Sequence, residues 1–183
     1  MADEQIASLR AAAHPLRLRM LSLLTGTAMS AAEIARELDI SHANASYHLR
    51  VLLEAGEVVV DGEERIRGGV AKRYRHPWRE SRAYRGTSRK EREQEIRAMG
   101  VELTRRYGLR RPKTPAVLCD AELWVPEEVW GEVQDLVRRA ATLLHERATP
   151  PRTPGTVHAN LTAAAFQLDD PGTARPDPTE AGR

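Results

Sequence analysis

Residues 29–56 read MSAAEIARELDISHANASYHLRVLLEAG, and two short helices joined by a tight turn account for the whole stretch. Ser30 with Glu33 three residues on makes a capping box, and Ile34, Ala35 and Leu38 form the inner stripe of the helix it starts. Asp39-Ile40-Ser41 is the turn: Asp39 tolerates a left-handed backbone and Ser41 is a good N-cap for a second helix reaching about Ala55, where Gly56 ends it. At about 100° per residue, Ala45, Leu49 and Leu52 share the inward face. Ala43, Tyr47, Arg50 and Glu54 point the opposite way, with Asn44 and Ser46 on the shoulders and His42 in the first turn. Such an outward face offers hydrogen-bonding groups to base edges and phosphates, and a helix N-terminus favours phosphate. The pattern is a helix-turn-helix.

Working outward, Ala2 to Ala13 reads as a helix interrupted by His14-Pro15, and Leu16 to Leu24 as a second one stopping at Thr25-Gly26. Beyond Gly56 the pattern turns to β. Val58, Val59 and Val60 open a hairpin whose tip lies at either Asp61-Gly62 or Gly68-Gly69, with its second strand running to His76. Arg65, Arg67, Lys72, Arg73 and Arg75 make this hairpin basic, and a basic hairpin after a helix-turn-helix is the wing of a winged helix. Ser88 to Tyr107 reads as a long amphipathic helix. After Pro112 and Pro115, the pattern predicts a strand over Ala116–Val125, a helix from Pro126 and a strand over Val157–Leu168. The expected fold is thus mainly α with a β-hairpin wing, followed by a long helix and a small strand-helix-strand module. It divides into a DNA-binding domain at 1–87, a linker and dimerisation helix at 88–111, the α/β module at 112–168, and a disordered tail at 169–183.

The 183 residues carry a net charge of only +2, unevenly spread: the net is −1 over residues 1–40, +7 over 41–111 and −4 over 112–183. A basic middle joined to an acidic end suits a polyanion-binding surface linked to a different module. No apolar run approaches the ~18 residues of a membrane helix. The opening MADEQIASLR lacks the pattern of a signal peptide, and one cysteine, Cys119, cannot form an internal disulfide. A cytoplasmic protein is expected. No Gly-rich phosphate loop or Ser/His/Asp set stands out, so no enzyme activity is expected.

HPLRLRMLSLL from His14, MSAAEIAREL from Met29, SHANASYHLRVLLEAGEVV from Ser41 and the wing ending AKRYRH from Ala71 together resemble the ArsR-type winged-helix transcriptional regulators over roughly residues 9–76. The part after Tyr107 resembles the C-terminal domain of some larger members. The resemblance implies a homodimer that binds a palindromic DNA operator, usually as a repressor released by an effector. The metal-sensing members' thiolate pair would fall within Glu33–Leu38, where this chain has no cysteine, and the helix from Ser88 lacks a paired Asp/His and His/Glu set. A metal and a cofactor are therefore not expected, and the effector is a small organic molecule or a partner protein.

The residues expected to contact DNA are Ser41, His42, Ala43, Asn44, Ser46, Tyr47 and Arg50 on the recognition helix, with Arg65, Arg67, Lys72, Arg73 and Arg75 on the wing. His48, on the flank of the inward face, reads as structural, and Cys119 as a core residue. Trp124, Trp130 and Phe166 read either as the module's core or as an effector pocket. Dimerisation is expected through the N-terminal helix and the helix from Ser88 to Tyr107. The rival reading is a winged helix used as a protein-interaction or RNA-binding module.

Overall fold

The computed structural model describes residues 13–66, 69–79 and 89–169. In chain order it contains α1 (Pro15–Gly26), β1 (Met29–Ser30), α2 (Ala31–Leu38), α3 (His42–Glu54), β2 (Val59–Ile66), β3 (Gly69–Arg75), α4 (Arg89–Gly108) and α5 (Glu127–Glu146). It is a winged helix-turn-helix followed by a long helix and a small C-terminal module. All of the expected helix at Ala2–Ala13 except Ala13, and nearly all of the expected tail, lie outside the described residues.

Local chemistry sets the helix boundaries. His14 caps α1, its Nδ1 accepting from the Leu16 amide at 3.2 Å, with proline in the first helical position. Ser30 caps α2 in the expected capping box: its hydroxyl accepts from the Glu33 amide at 3.4 Å, and Glu33 Oε2 accepts from the Ser30 amide at 2.7 Å. Asp39 adopts the left-handed conformation (φ 54°, ψ 54°), and the Ser41 hydroxyl accepts from the Asn44 amide at 3.1 Å to start α3. The turn is thus built by the residues that predict it.

Met20, Leu24, Ile34, Leu49, Leu52 and Val58 are fully buried, and Ala35 and Ala45 let α2 and α3 approach closely in the same core. The hairpin lies alongside. β2 and β3 pair antiparallel with Ile66 opposite Gly69, so Asp61-Gly62 is not the tip of the hairpin. Asp61 is instead the extra residue of a β-bulge, and Gly62 there has φ 155°, which side-chain-bearing residues rarely adopt. β1 adds to the far edge of β3, with Met29 opposite Tyr74, completing a three-stranded sheet in the order β1-β3-β2.

The C-terminal module differs from expectation. Its helix is present as α5, but residues 116–125 and 157–168 form no strand. Their apolar residues suit a strand, but a strand also needs a ladder partner, and neither segment has one among the described residues. The module touches the winged domain at few points. Trp78 stacks on His145 with ring centroids 5.0 Å apart, Arg79 pairs with Glu146 at 2.6 Å and Arg152 with Glu37 at 2.5 Å. The Thr149 carbonyl lies so near Gly26 that an added Cβ would sit 2.9 Å from it.

Helix α3 is seated by a histidine pair. His48 is buried, its ring 4.9 Å from that of His14 and 5.1 Å from that of Tyr47, and its Nδ1 has no hydrogen-bond partner among the described residues. Both imidazoles titrate below their ordinary value: burial is the main cause, followed by Arg17 for His14 and by His14 and Arg17 for His48. Folding therefore favours their neutral forms. The stability they contribute is complete above an unfolded pKa of about 6.5 and is lost as the pH falls below it.

Two expectations follow for stability. Leu49→Ala should cost about 2–5 kcal/mol by chemical denaturation, whereas Tyr47→Ala on the outer face should change stability by no more than about 0.5 kcal/mol. Thermal denaturation should show Tm falling between about pH 7 and pH 5, and His48→Leu should flatten that dependence. An unaltered slope in the variant would assign it to other groups.

Candidate nucleic-acid interface

A helix buried along one side presents whatever lies on the other. In α3, Ala45, His48, Leu49 and Leu52 are buried, while Ser41, His42, Ala43, Asn44, Tyr47 and Arg50 are exposed and Ser46 is half-buried. Tyr47 is 56% exposed although its ring edge rests on His48. A large aromatic held against the surface with its hydroxyl in solvent suits a contact better than packing. The seven expected recognition-helix residues are thus brought together around the first two turns of α3, whose free amides add positive potential at the same end.

The wing separates into two kinds of basic residue. Glu63 faces Lys72 and Arg65 faces Val70, so Arg65 and Lys72 stand on one face of the hairpin, both exposed. Arg73 stands on the opposite face and is engaged. Its Nη1 donates to Glu33 at 3.1 Å and Glu64 at 2.7 Å, and its Nη2 donates to the Ala28 carbonyl. Burial raises the Glu33 carboxyl, but the Ser30 amide and hydroxyl and the Arg73 guanidinium outweigh it and hold the group below its ordinary range. On Arg73 desolvation is likewise outweighed, by Glu64 and Glu33, which hold the charge more firmly. Arg75 donates to Asp61 at 3.0 Å. Arg65 and Lys72 are free to reach a phosphate, while Arg73 and Arg75 fasten the hairpin; Arg67 lies outside the described residues.

The structure does not gather the aromatic residues expected of an effector pocket. Trp124 is 86% and Phe166 63% exposed, and Trp130 is half-buried on α5. The cleft that adjoins the winged domain holds about 360 Å³ and is lined by Glu33, Arg36, Glu37 and Arg73 on one side and by Pro150 and Pro151 on the other. None of the three aromatics lines it. Cys119 is exposed rather than in a core, because the segment carrying it forms no strand. Among the described residues, no group of three or more His, Cys, Asp or Glu side chains is placed to hold a metal ion, and no helix is long and apolar enough to cross a membrane.

Sequence reasoning missed two residues. His14 reads only as a helix interruption, yet it caps α1 and supports His48. Glu33 reads only as half of a capping box, yet it also receives Arg73. Its partner is forty residues away, so no local pattern announces it.

Residues 12–59, which span α1 to the start of β2, match a family model described as a helix-turn-helix domain. No curated protein matches the chain. The matched segment holds the two helices and the turn built above, and the hairpin that follows completes the wing. The N-terminal part of the chain is thus a helix-turn-helix domain with a wing, the framework of a DNA-binding transcriptional regulator.

Proposed function

We propose that the protein is a dimeric, cytoplasmic repressor of ArsR type, which binds a palindromic operator and is released by a non-metal effector or partner protein. One observation carries the reading: the polar outer face of α3, from Ser41 to Arg50, is open to solvent beside a hairpin bearing Arg65 and Lys72 on one exposed face. In this reading α3 enters the major groove and the wing lies along the adjacent backbone. Dimerisation through α4 is supported by its exposed Ile96, Leu103 and Tyr107, which line up at helical spacing. Two such subunits place their recognition helices about 34 Å apart, or a multiple of it. Chemistry on a substrate has no part in this function.

Regulation enters through the C-terminal module, which joins the winged domain at α2 through Arg152 and Glu37 and at the end of the wing through His145 and Trp78. An effector acts there by binding the free and DNA-bound arrangements unequally. The same linkage requires operator DNA to change effector affinity by the factor by which the effector changes operator affinity.

A gel shift with the DNA upstream of the protein's own gene, at stated salt, tests the reading, with random DNA as the reference. Asn44→Ala or Tyr47→Ala should cost about 1–3 kcal/mol more on the operator than on random DNA. Arg65→Ala or Lys72→Ala should weaken both equally and lower the salt slope by about one for each phosphate that a subunit ceases to neutralise. Arg73→Ala should act differently, lowering the stability of the winged domain because it frees the wing from Glu33. Binding to RNA or to protein alone, with no operator shift, would favour the interaction-module reading.

A further inference from the structure

Helix α5 carries two apolar faces, and only one is partly covered among the described residues. Trp130, Gln134, Val137, Ala141 and His145 are half-buried along one side. About 110° around the helix, at 100° per residue, Val129, Val133, Leu136, Ala140 and Leu143 follow one another at alternating spacings of four and three. That is the repeat of a two-helix seam. Every residue of this second face is exposed, Leu136 by 62%, and no residue of α5 is buried. A groove of about 540 Å³ opens on its flank, lined by Leu136, Ala140 and Leu143 of this face and by Arg139 and Thr142 beside it.

The charges flanking the seam indicate its occupant. From Glu127 to Asp135 the helix carries four acids and no base, whereas Arg138 and Arg139 follow in its second half. A helix polarised in this way complements a copy of itself laid antiparallel. With Leu136 at the two-fold axis, Val129 meets Leu143 of the partner subunit and Glu132 comes beside Arg139 of the partner subunit. Glu132 and Arg139 lie on the same flank of the seam, as antiparallel pairing requires, and neither makes an ion pair among the described residues.

The exposed apolar side chains agree. Fourteen large apolar side chains between Val117 and Leu168 are more than a third exposed. Four of them, Val129, Val133, Leu136 and Leu143, lie on the seam, and nine lie on the segments before and after the helix.

We propose that a second copy of this chain docks antiparallel on the α5 seam and that the C-terminal module is completed only by this self-association. The surface is distinct from α4, and the proposal holds whether or not the chain reads an operator. Disulfide cross-linking of the full-length chain reads this face alone. In a Cys119→Ser background, Leu136→Cys should cross-link to its own copy under mild oxidation, while Asp135→Cys, about 120° around the helix from the seam and outside the groove, should not. Glu132→Arg and Arg139→Glu should each lower the cross-linking of Leu136→Cys and weaken self-association about tenfold; the double reversal should restore both. All these positions are exposed, so folding measured by circular dichroism should be unchanged. Absence of the Leu136→Cys cross-link, equal cross-linking at Asp135→Cys, or no rescue by the double reversal would overturn the proposal. A chain that shifts operator DNA but gives any of these results would lose the seam and keep its DNA-binding reading.

Discussion

The carboxylate of Glu33 ties β1 and α2 to β3, forty residues away in sequence. Oε2 accepts from the Ser30 amide at 2.7 Å, starting α2 immediately after β1, and from Arg73 at 3.1 Å, fixing β3. The same guanidinium reaches the Ala28 carbonyl and Glu64 on β2. Removing the carboxylate would leave the Ser30 amide and a half-buried guanidinium each short of one acceptor, while the Ser30 hydroxyl would still cap α2. Charge-assisted hydrogen bonds of this kind are directional, so they fix the angle of the wing as well as its presence. The apolar core holds α1, α2 and α3 together. The node at Glu33 determines where the hairpin sits relative to them, and hence where Arg65 and Lys72 stand relative to the outer face of α3.

The sequence makes this domain legible to different depths for reasons that differ by element. Ser30, Glu33, Asp39 and Ser41 act within three or four residues of themselves, so the helix boundaries can be read directly. The inward and outward faces of α3 follow from helical geometry alone, and burial agrees at each position from Ala43 to Leu52 except His48, which lies deeper than its flank position suggests. β1 could not be foreseen: two residues have no period, and Met29-Ser30 becomes a strand only because Tyr74 and Arg73 lie opposite. The hairpin tip is ambiguous in sequence because Asp61-Gly62 is a turn dipeptide by composition, and pairing turns it into a bulge. The division of the wing's arginines between anchors and free cations depends on Glu33, Glu64 and Asp61, which no local rule connects to them.

In the C-terminal module the local reading fails for a different reason. Residues 116–125 and 157–168 are rich in apolar side chains, as strands are, yet such composition describes only which side chains want to be covered. It does not supply the covering surface or the ladder partner. Helix α5 needs no partner to form, because its hydrogen bonds are internal and Glu127 and Glu128 favour its N-terminus. Helices survive alone where strands do not. The same exposed apolar side chains leave Trp124 and Phe166 in solvent, so an effector pocket built around them cannot exist in one copy of the module.

The placement of the joints constrains how any signal could travel. The module meets the winged domain at the C-terminal end of α5, through Trp78 on His145 and Arg79 on Glu146, and at the following loop, through Thr149 beside Gly26 and Arg152 on Glu37. These joints lie at the exit of β3, the end of α1 and the side of α2, and none is on the outer face of α3. The exposed ion pairs contribute little individually, whereas the stacked ring and the close backbone approach at Gly26 resist displacement sterically. In the proposed function, a change at the far end of α5 would reach the DNA-binding face by moving the rigid helix about this end, shifting the frame that holds the wing and α2. Such coupling would alter the spacing and tilt of the proposed recognition helices rather than the chemistry of their contacts, and would act on every contact together.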